Sequence, residues 1–130
     1  MKRIITLGLL LMALGAQASP AVDSLMQGYR QQGATDFSAD AGQQLWTREF
    51  TSQGGQTRSC ASCHTDDPRK AGKHIKTGKP IEPMAPSINP QRLSDEKDMR
   101  KWFGRNCKWT LGRACTAQEQ GDVLLYLQGL

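Results

Sequence analysis

Aromatic residues are few in this 130-residue chain: three Trp, two Tyr and three Phe. They can build only a modest core. Histidine is scarcer still. His64 and His74 are the only two, which excludes a multi-histidine metal centre. No apolar run reaches the roughly 18 residues that a membrane-spanning helix needs. Charge of one sign is also lacking. The 17 Lys and Arg residues stand against 12 Asp and Glu, and two of the cations, Lys2 and Arg3, lie at the very start. So mild a balance carries no argument for nucleic acid. Internal repeats and linkers are missing as well, so one small domain is expected. Cysteine is limited to four residues, and a second C-x-x-C does not occur.

What is present centres on Cys60-Ala61-Ser62-Cys63-His64. C-x-x-C-H is the attachment signature of c-type haem. Two thiols two residues apart can both reach one edge of the porphyrin and add across its vinyl groups. The histidine that follows is placed under the iron, so His64 is the expected proximal ligand. C-x-x-C alone would also suit a thioredoxin-like redox pair or half of a zinc site. The adjacent histidine and the lack of a second metal-spaced pair favour one covalently attached haem c, held by Cys60 and Cys63.

The chain opens with Lys2 and Arg3, an apolar stretch over residues 4–14, and Ala16-Gln17-Ala18. This is the layout of a secretory signal peptide. Residues 1–18 are therefore expected to be a leader cleaved after Ala18, and residues 19–130 a monohaem cytochrome c domain. Export agrees with haem attachment, which takes place on the outer side of the bacterial inner membrane, and predicts a periplasmic protein. In that oxidising compartment, Cys107 and Cys115 remain as the natural disulfide pair. Arg69, Lys70, Lys73, Lys76 and Lys79 cluster after the haem motif. They make either a solvated loop or a docking face for an acidic electron donor.

Val22, Leu25, Met26 and Tyr29 fall at helical spacing in residues 20–32, before Gly33. Ser38 can cap a helix over 39–51, with Leu45, Trp46 and Phe50 on its apolar line. Gly42, one turn before Trp46, would let another helix approach closely. Residues 65–93 hold five of the six prolines and show no periodicity. So long a loop counts against a compact domain unless a haem gives it an apolar face to wrap. A third helix is expected over 95–106, started by Ser94, followed by a loop over 107–115. Thr116-Ala117-Gln118-Glu119 is a capping box opening a last helix to about Gln128. The expected fold class is all-α, with haem as the core.

The early helix with Gly42 and Trp46, the Pro-rich loop and the last helix together resemble a class I cytochrome c. The stretches TGKPIEPMAPSINP (77–90) and KWFGRNCKWTLGRACTAQE (101–119) resemble the sphaeroides haem protein (SHP) family over nearly all of residues 19–130. The implied architecture is class I-like around one covalent haem, with an extra N-terminal helix and a disulfide in the C-terminal region.

In that family an asparagine just before the first disulfide cysteine is the sixth iron ligand; the matching residue is Asn106. It is bound in the oxidised protein and leaves on reduction. The vacated position then takes small diatomics such as oxygen or nitric oxide. A dihaem cytochrome c or a membrane cytochrome is the implied electron donor. Hard-donor chemistry agrees, since ferric iron holds an amide oxygen better than ferrous iron does.

The residues themselves leave rivals. Asn106 could be a helix C-cap. Met84, in the Pro-rich loop, could be a thioether ligand in a plain His/Met electron carrier, or could pack on the haem. His74 reads as a solvated loop residue, and Trp102 and Trp109 as packing residues. Arg105 and Arg113 are either propionate partners or surface charge. No acid/base pair committed to reductive chemistry on oxygen or nitric oxide is legible, which leaves enzyme activity open.

Overall fold

The computed structural model describes residues 19–51 and 54–130; the leader expected over residues 1–18 lies outside them. Among the described residues, nine short elements run in the order α1 (Pro20–Gln31), α2 (Ala39–Thr47), β1 (Phe50–Thr51), β2 (Thr57–Arg58), α3 (Ala61–His64), β3 (Gly72–Lys73), β4 (Pro80–Ile81), α4 (Glu96–Leu111) and α5 (Ala117–Gln128). The fold is mostly helical. Its β structure is two antiparallel pairs, with Phe50 opposite Arg58 and Gly72 opposite Ile81.

Local capping fixes most helix ends. The Ser19 hydroxyl accepts from Val22 N at 3.2 Å, with Pro20 at the first helical position. Ser38 caps α2 through Ala41 N at 3.2 Å. In α5, Glu119 N donates to Thr116 Oγ1 at 3.1 Å while Thr116 N donates to Glu119 Oε2 at 2.8 Å. This is the reciprocal box expected from the sequence.

The core is one apolar cluster. Val22, Leu25, Met26 and Tyr29 of α1 meet Leu45 and Trp46 of α2, Met99 of α4, and Val123, Leu124, Tyr126 and Leu127 of α5. The α2–α5 crossing is close because Gly42 lies directly against the Asp122 carbonyl. Asp122 is buried yet satisfied. Its Oδ1 accepts from Ser38 N at 2.8 Å and from Gln118 Nε2 at 2.9 Å. A side chain of α5 thus reinforces the start of α2, which binds the first and last parts of the core together.

Three expected helix ends are corrected. The second helix ends at Thr47 rather than residue 51, because Phe50 and Thr51 leave it to pair with β2. The third helix does not stop at Asn106. It runs to Leu111 and ends at Gly112, whose φ of +75° is the left-handed cap conformation. Its N-cap is Asp95, which accepts from Asp98 N at 2.8 Å; the Ser94 hydroxyl instead donates to the Gln91 carbonyl at 2.7 Å. Residues 108–111 contain no helix breaker, so the helix continues until glycine permits a stop. The Cys107–Cys115 disulfide is present, with its Cα atoms 5.5 Å apart. Most of the segment it closes is therefore helix.

The α5 cap yields a pH prediction. Hydrogen bonding from Arg113 and then the Thr116 amide hold the Glu119 carboxyl down at about 2, below its ordinary 4.5, against the opposing effect of burial. A depressed folded-state value gives stability that is present above the unfolded value and lost as pH falls toward 2. Glu119→Gln should lower stability at neutral pH by about 1 kcal/mol, a typical cap effect. It should also flatten the acid limb between about pH 5 and about pH 2 in urea melts. An unchanged acid limb would remove Glu119 from the account.

Candidate functional site

Residues 59–65 form a single tight helical turn. Cys63 N and His64 N both donate to Cys60 O, at 3.3 and 3.1 Å, and Thr65 N donates to Ala61 O at 2.9 Å. Ser59 and Ser62 brace its start: Ser59 N donates to Ser62 Oγ at 2.9 Å, and Ser62 N to Ser59 Oγ at 3.2 Å. Thr65, at φ +64°, ends it. Helical spacing puts Cys60, Cys63 and His64 on one side of this turn. The structure therefore brings three of the four expected site residues together.

The turn is clamped from two directions. Trp46 of α2 donates its indole N–H to Thr65 O at 2.9 Å, and its ring lies 5.4 Å from that of His64. Trp46 also meets Tyr126 of α5 at 6.2 Å, so the α2–α5 crossing reaches the imidazole directly. On the other side Gly72 of β3 packs on the Cys63 carbonyl so tightly that a Cβ there would stand 2.0 Å from the oxygen. Ile75 N, just beyond β3, donates to Cys63 Sγ at 3.4 Å.

Burial sets the chemistry. It pushes the His64 imidazole down to about 4, with the nearby Arg92 charge acting in the same direction. At neutral pH the ring is uncharged and keeps a lone pair for a metal. Its Nδ1 is buried with no hydrogen-bond partner. Burial likewise pushes the Cys60 thiol up to about 11, so it is held as a thiol. Cys60 and Cys63 are not joined to each other. Among the described residues, no three His, Cys, Asp or Glu side chains gather into a metal-binding cluster. Ile75 is 54% exposed beside Cys63, and Trp102 of α4 is 47% exposed. Two thiols on one face, a neutral buried imidazole, and the uncovered Ile75 side chain beside Cys63 fit a flat, covalently attached haem.

Asn106, the fourth expected residue, lies in the second half of α4, away from this turn in sequence. Its side chain is exposed and makes no hydrogen bond among the described residues. The C-cap role weighed for it belongs to Gly112. The disulfide fixes its neighbour, Cys107, to the N-terminus of α5.

The rivals sort as follows. Met84 is half-buried against the apolar core, with its amide donating to Pro68 O at 2.8 Å. Arg92 holds the same stretch through Pro83 O at 2.9 Å and Glu82 O at 2.8 Å. His74 is not a loose loop residue. Its Nδ1 accepts from Lys76 N at 3.3 Å and Thr77 N at 3.2 Å, and its ring lies 5.7 Å from that of Trp109. Arg113 is engaged by Glu119 at 2.7 and 2.8 Å. Arg105 lies 5.5 Å from the Trp102 ring. Arg58 was not singled out from sequence: it is buried and stacks on Trp109 at 3.8 Å. Nothing in the order of residues signals that contact, which joins positions 51 residues apart. Lys70, Lys73, Lys76 and Lys79 are all exposed around Ile75, and Arg69 pairs with Asp67 at 3.4 Å.

Comparison with known proteins places the chain among c-type cytochromes. Residues 32–127 match the family described as "Domain of unknown function (DUF1924)". The chain is 39% identical to cytochrome c-type protein SHP of Cereibacter sphaeroides over 88% of its own length and 87% of that protein's. It superposes on the structure of oxidised SHP, described as an oxygen-binding cytochrome c, with a TM-score of 0.75 and 36% identity. That match covers 86% of this chain and 99% of the other. The solution structure of cytochrome c'' from Methylophilus methylotrophus, described as giving insights into the structural basis of haem-ligand detachment, matches with a TM-score of 0.74 and 30% identity. It covers 84% of this chain and 93% of that one.

Proposed function

The chain belongs to the DUF1924 family and is a relative of SHP, and on that premise we propose that it is a periplasmic c-type cytochrome whose iron site opens to small diatomics on reduction. Cys60 and Cys63 would hold one haem c through thioether bonds, and His64 would be its protein ligand on the attachment side. When bound, the haem supplies a one-electron iron couple and a sixth coordination position. Asn106 would hold that position through its amide oxygen in the oxidised protein. A hard neutral oxygen donor suits ferric iron better than ferrous iron, so Asn106 would let go on reduction and leave room for oxygen or nitric oxide. The disulfide at Cys107 keeps the backbone beside it in place, so the movement stays local.

The observation that carries this reading is Asn106 itself. It is a mid-helix amide with no structural partner among the described residues, at a position of poor helix propensity. The likeness to an oxygen-binding cytochrome and to one studied for ligand detachment supports the same chemistry. Trp46, clamping the turn behind His64, keeps the proximal side fixed while the distal side changes. The exposed lysines around Ile75 suit an acidic face on the electron donor, a dihaem or membrane cytochrome. The Ile75 amide, bonded to Cys63 Sγ, gives that face a short route to the covalent sulfur.

The decisive experiment is a redox-resolved absorption spectrum of the haem-loaded protein and two variants. Asn106→Ala should give an open or water-bound, high-spin ferric site. Met84→Leu should change the spectrum little, because Met84 packs on the core. A low-spin ferric spectrum unaffected by Asn106→Ala, or a red charge-transfer band of iron–methionine bonding that vanishes with Met84, would overturn the assignment in favour of a plain His/Met electron carrier.

A further inference from the structure

Arg58 is a buried cation, 8% exposed, with no carboxylate partner among the described residues. A buried charge left without an anion is costly and needs another source of stabilisation. Here that source is Trp109. The Arg58 guanidinium sits 3.8 Å from the Trp109 ring centroid and donates from Nη1 to the Trp109 carbonyl at 3.4 Å; Nη2 donates to Gln56 Oε1. A second group meets the same indole. The His74 ring lies 5.7 Å away at a 38° tilt. His74 is held in turn by the Lys76 and Thr77 amides on Nδ1, and by its own amide on Lys79 O at 2.9 Å.

These contacts connect three pieces of chain. Arg58 stands two residues before Cys60, and His74 stands next to Ile75, whose amide bonds Cys63 Sγ. Trp109 is three residues beyond Asn106, on the same face of α4. We propose that Arg58, Trp109 and His74 form a strap that fixes the Asn106 turn of α4 to both flanks of the haem-attachment turn, and so sets how firmly Asn106 holds its position. Arg58 and Trp109 are then positioning residues, and the proposal rests on Asn106 being the iron ligand. A guanidinium stacked on an indole and bonded to its backbone has a defined geometry that an ammonium does not reproduce.

The test uses the haem-loaded protein with Arg58→Met, Arg58→Lys, Trp109→Phe and Asn106→Ala compared to the parent. Ferric spin state and the rate of cyanide association with the oxidised protein, where the incoming ligand must displace Asn106, are the readouts, beside the thermal midpoint. Arg58→Met should turn part of the ferric population high-spin and raise the association rate roughly tenfold, about one decade of barrier change. Arg58→Lys should recover little of this. If Arg58→Met does not fold, Trp109→Phe decides, with a smaller shift in the same direction. Parent-like spin state and rate in the Arg58 and Trp109 variants, alongside a high-spin Asn106→Ala, would overturn the strap and leave Asn106 as ligand. A parent-like Asn106→Ala would overturn both. A lowered thermal midpoint with neither spectral nor kinetic change would reduce Arg58 to a structural residue.

Discussion

Replacing Cys60 and Cys63 together by Ala should leave a chain without fixed tertiary packing, its far-UV helical signal well below that of the haem-loaded protein. The argument begins with helix length. α1, α2 and α5 have 12, 9 and 12 residues, and isolated helices this short are marginal in water. They depend on packing, which the α1–α2–α5 cluster supplies only in part. Between α3 and α4 the chain has just one two-residue ladder, β3–β4. Ordering such a segment costs about 1–2 kcal/mol per residue. Its own apolar residues offset little of that, since Ile75 and Ile88 stay more than half exposed. Against a typical net stability of about 5–15 kcal/mol, losing the group this loop wraps is decisive. Near-UV circular dichroism should lose its tryptophan fine structure while some far-UV signal persists, as in a molten state. A native-like helical spectrum with a cooperative melt would refute this.

How much of this was legible beforehand follows the range of the interaction involved. The C-x-x-C-H turn, the Ser38 cap, the Thr116–Glu119 box and the Cys107–Cys115 pair all showed in the sequence, because each is local or settled by counting. The end of α4 was misread because asparagine is ambiguous: the same residue type suits a C-cap, a turn or a ligand. Only the left-handed φ at Gly112 decides where the helix stops. The β1–β2 pair was missed since two-residue strands have no periodicity to detect. Arg58 could not have been chosen from its neighbours; its partner Trp109 is brought to it by the whole path of the chain. His74 looked solvated because the lysines around it are. In the fold its ring turns toward Trp109, and its Nδ1 is taken by its own loop.

Gly42→Ala carries the other large expectation, a loss of roughly 3 kcal/mol or more, at the upper end of overpacking costs. A Cβ at this position would stand 2.1 Å from the Asp122 carbonyl oxygen, 2.5 Å from its carbon and 2.9 Å from Tyr126 Cβ. The obstacle is backbone, so no rotamer change relieves it, and α2 and α5 must separate. Separation would break the bond from Ser38 N to Asp122 Oδ1 and withdraw Trp46, one turn along α2, from Thr65 and His64. One added methyl group should therefore disturb the proximal side of the site as well as the fold. Gly104 provides the internal control. A Cβ there meets nothing within 4 Å, and it lies roughly opposite Asn106 around α4. Gly104→Ala should raise stability by about 0.5–1 kcal/mol, because alanine removes backbone entropy from the unfolded chain. Urea melts of the two haem-loaded variants should thus move in opposite directions, with the His64-side spectrum perturbed only in Gly42→Ala. Equal shifts would mean that the α2–α5 crossing does not control the imidazole.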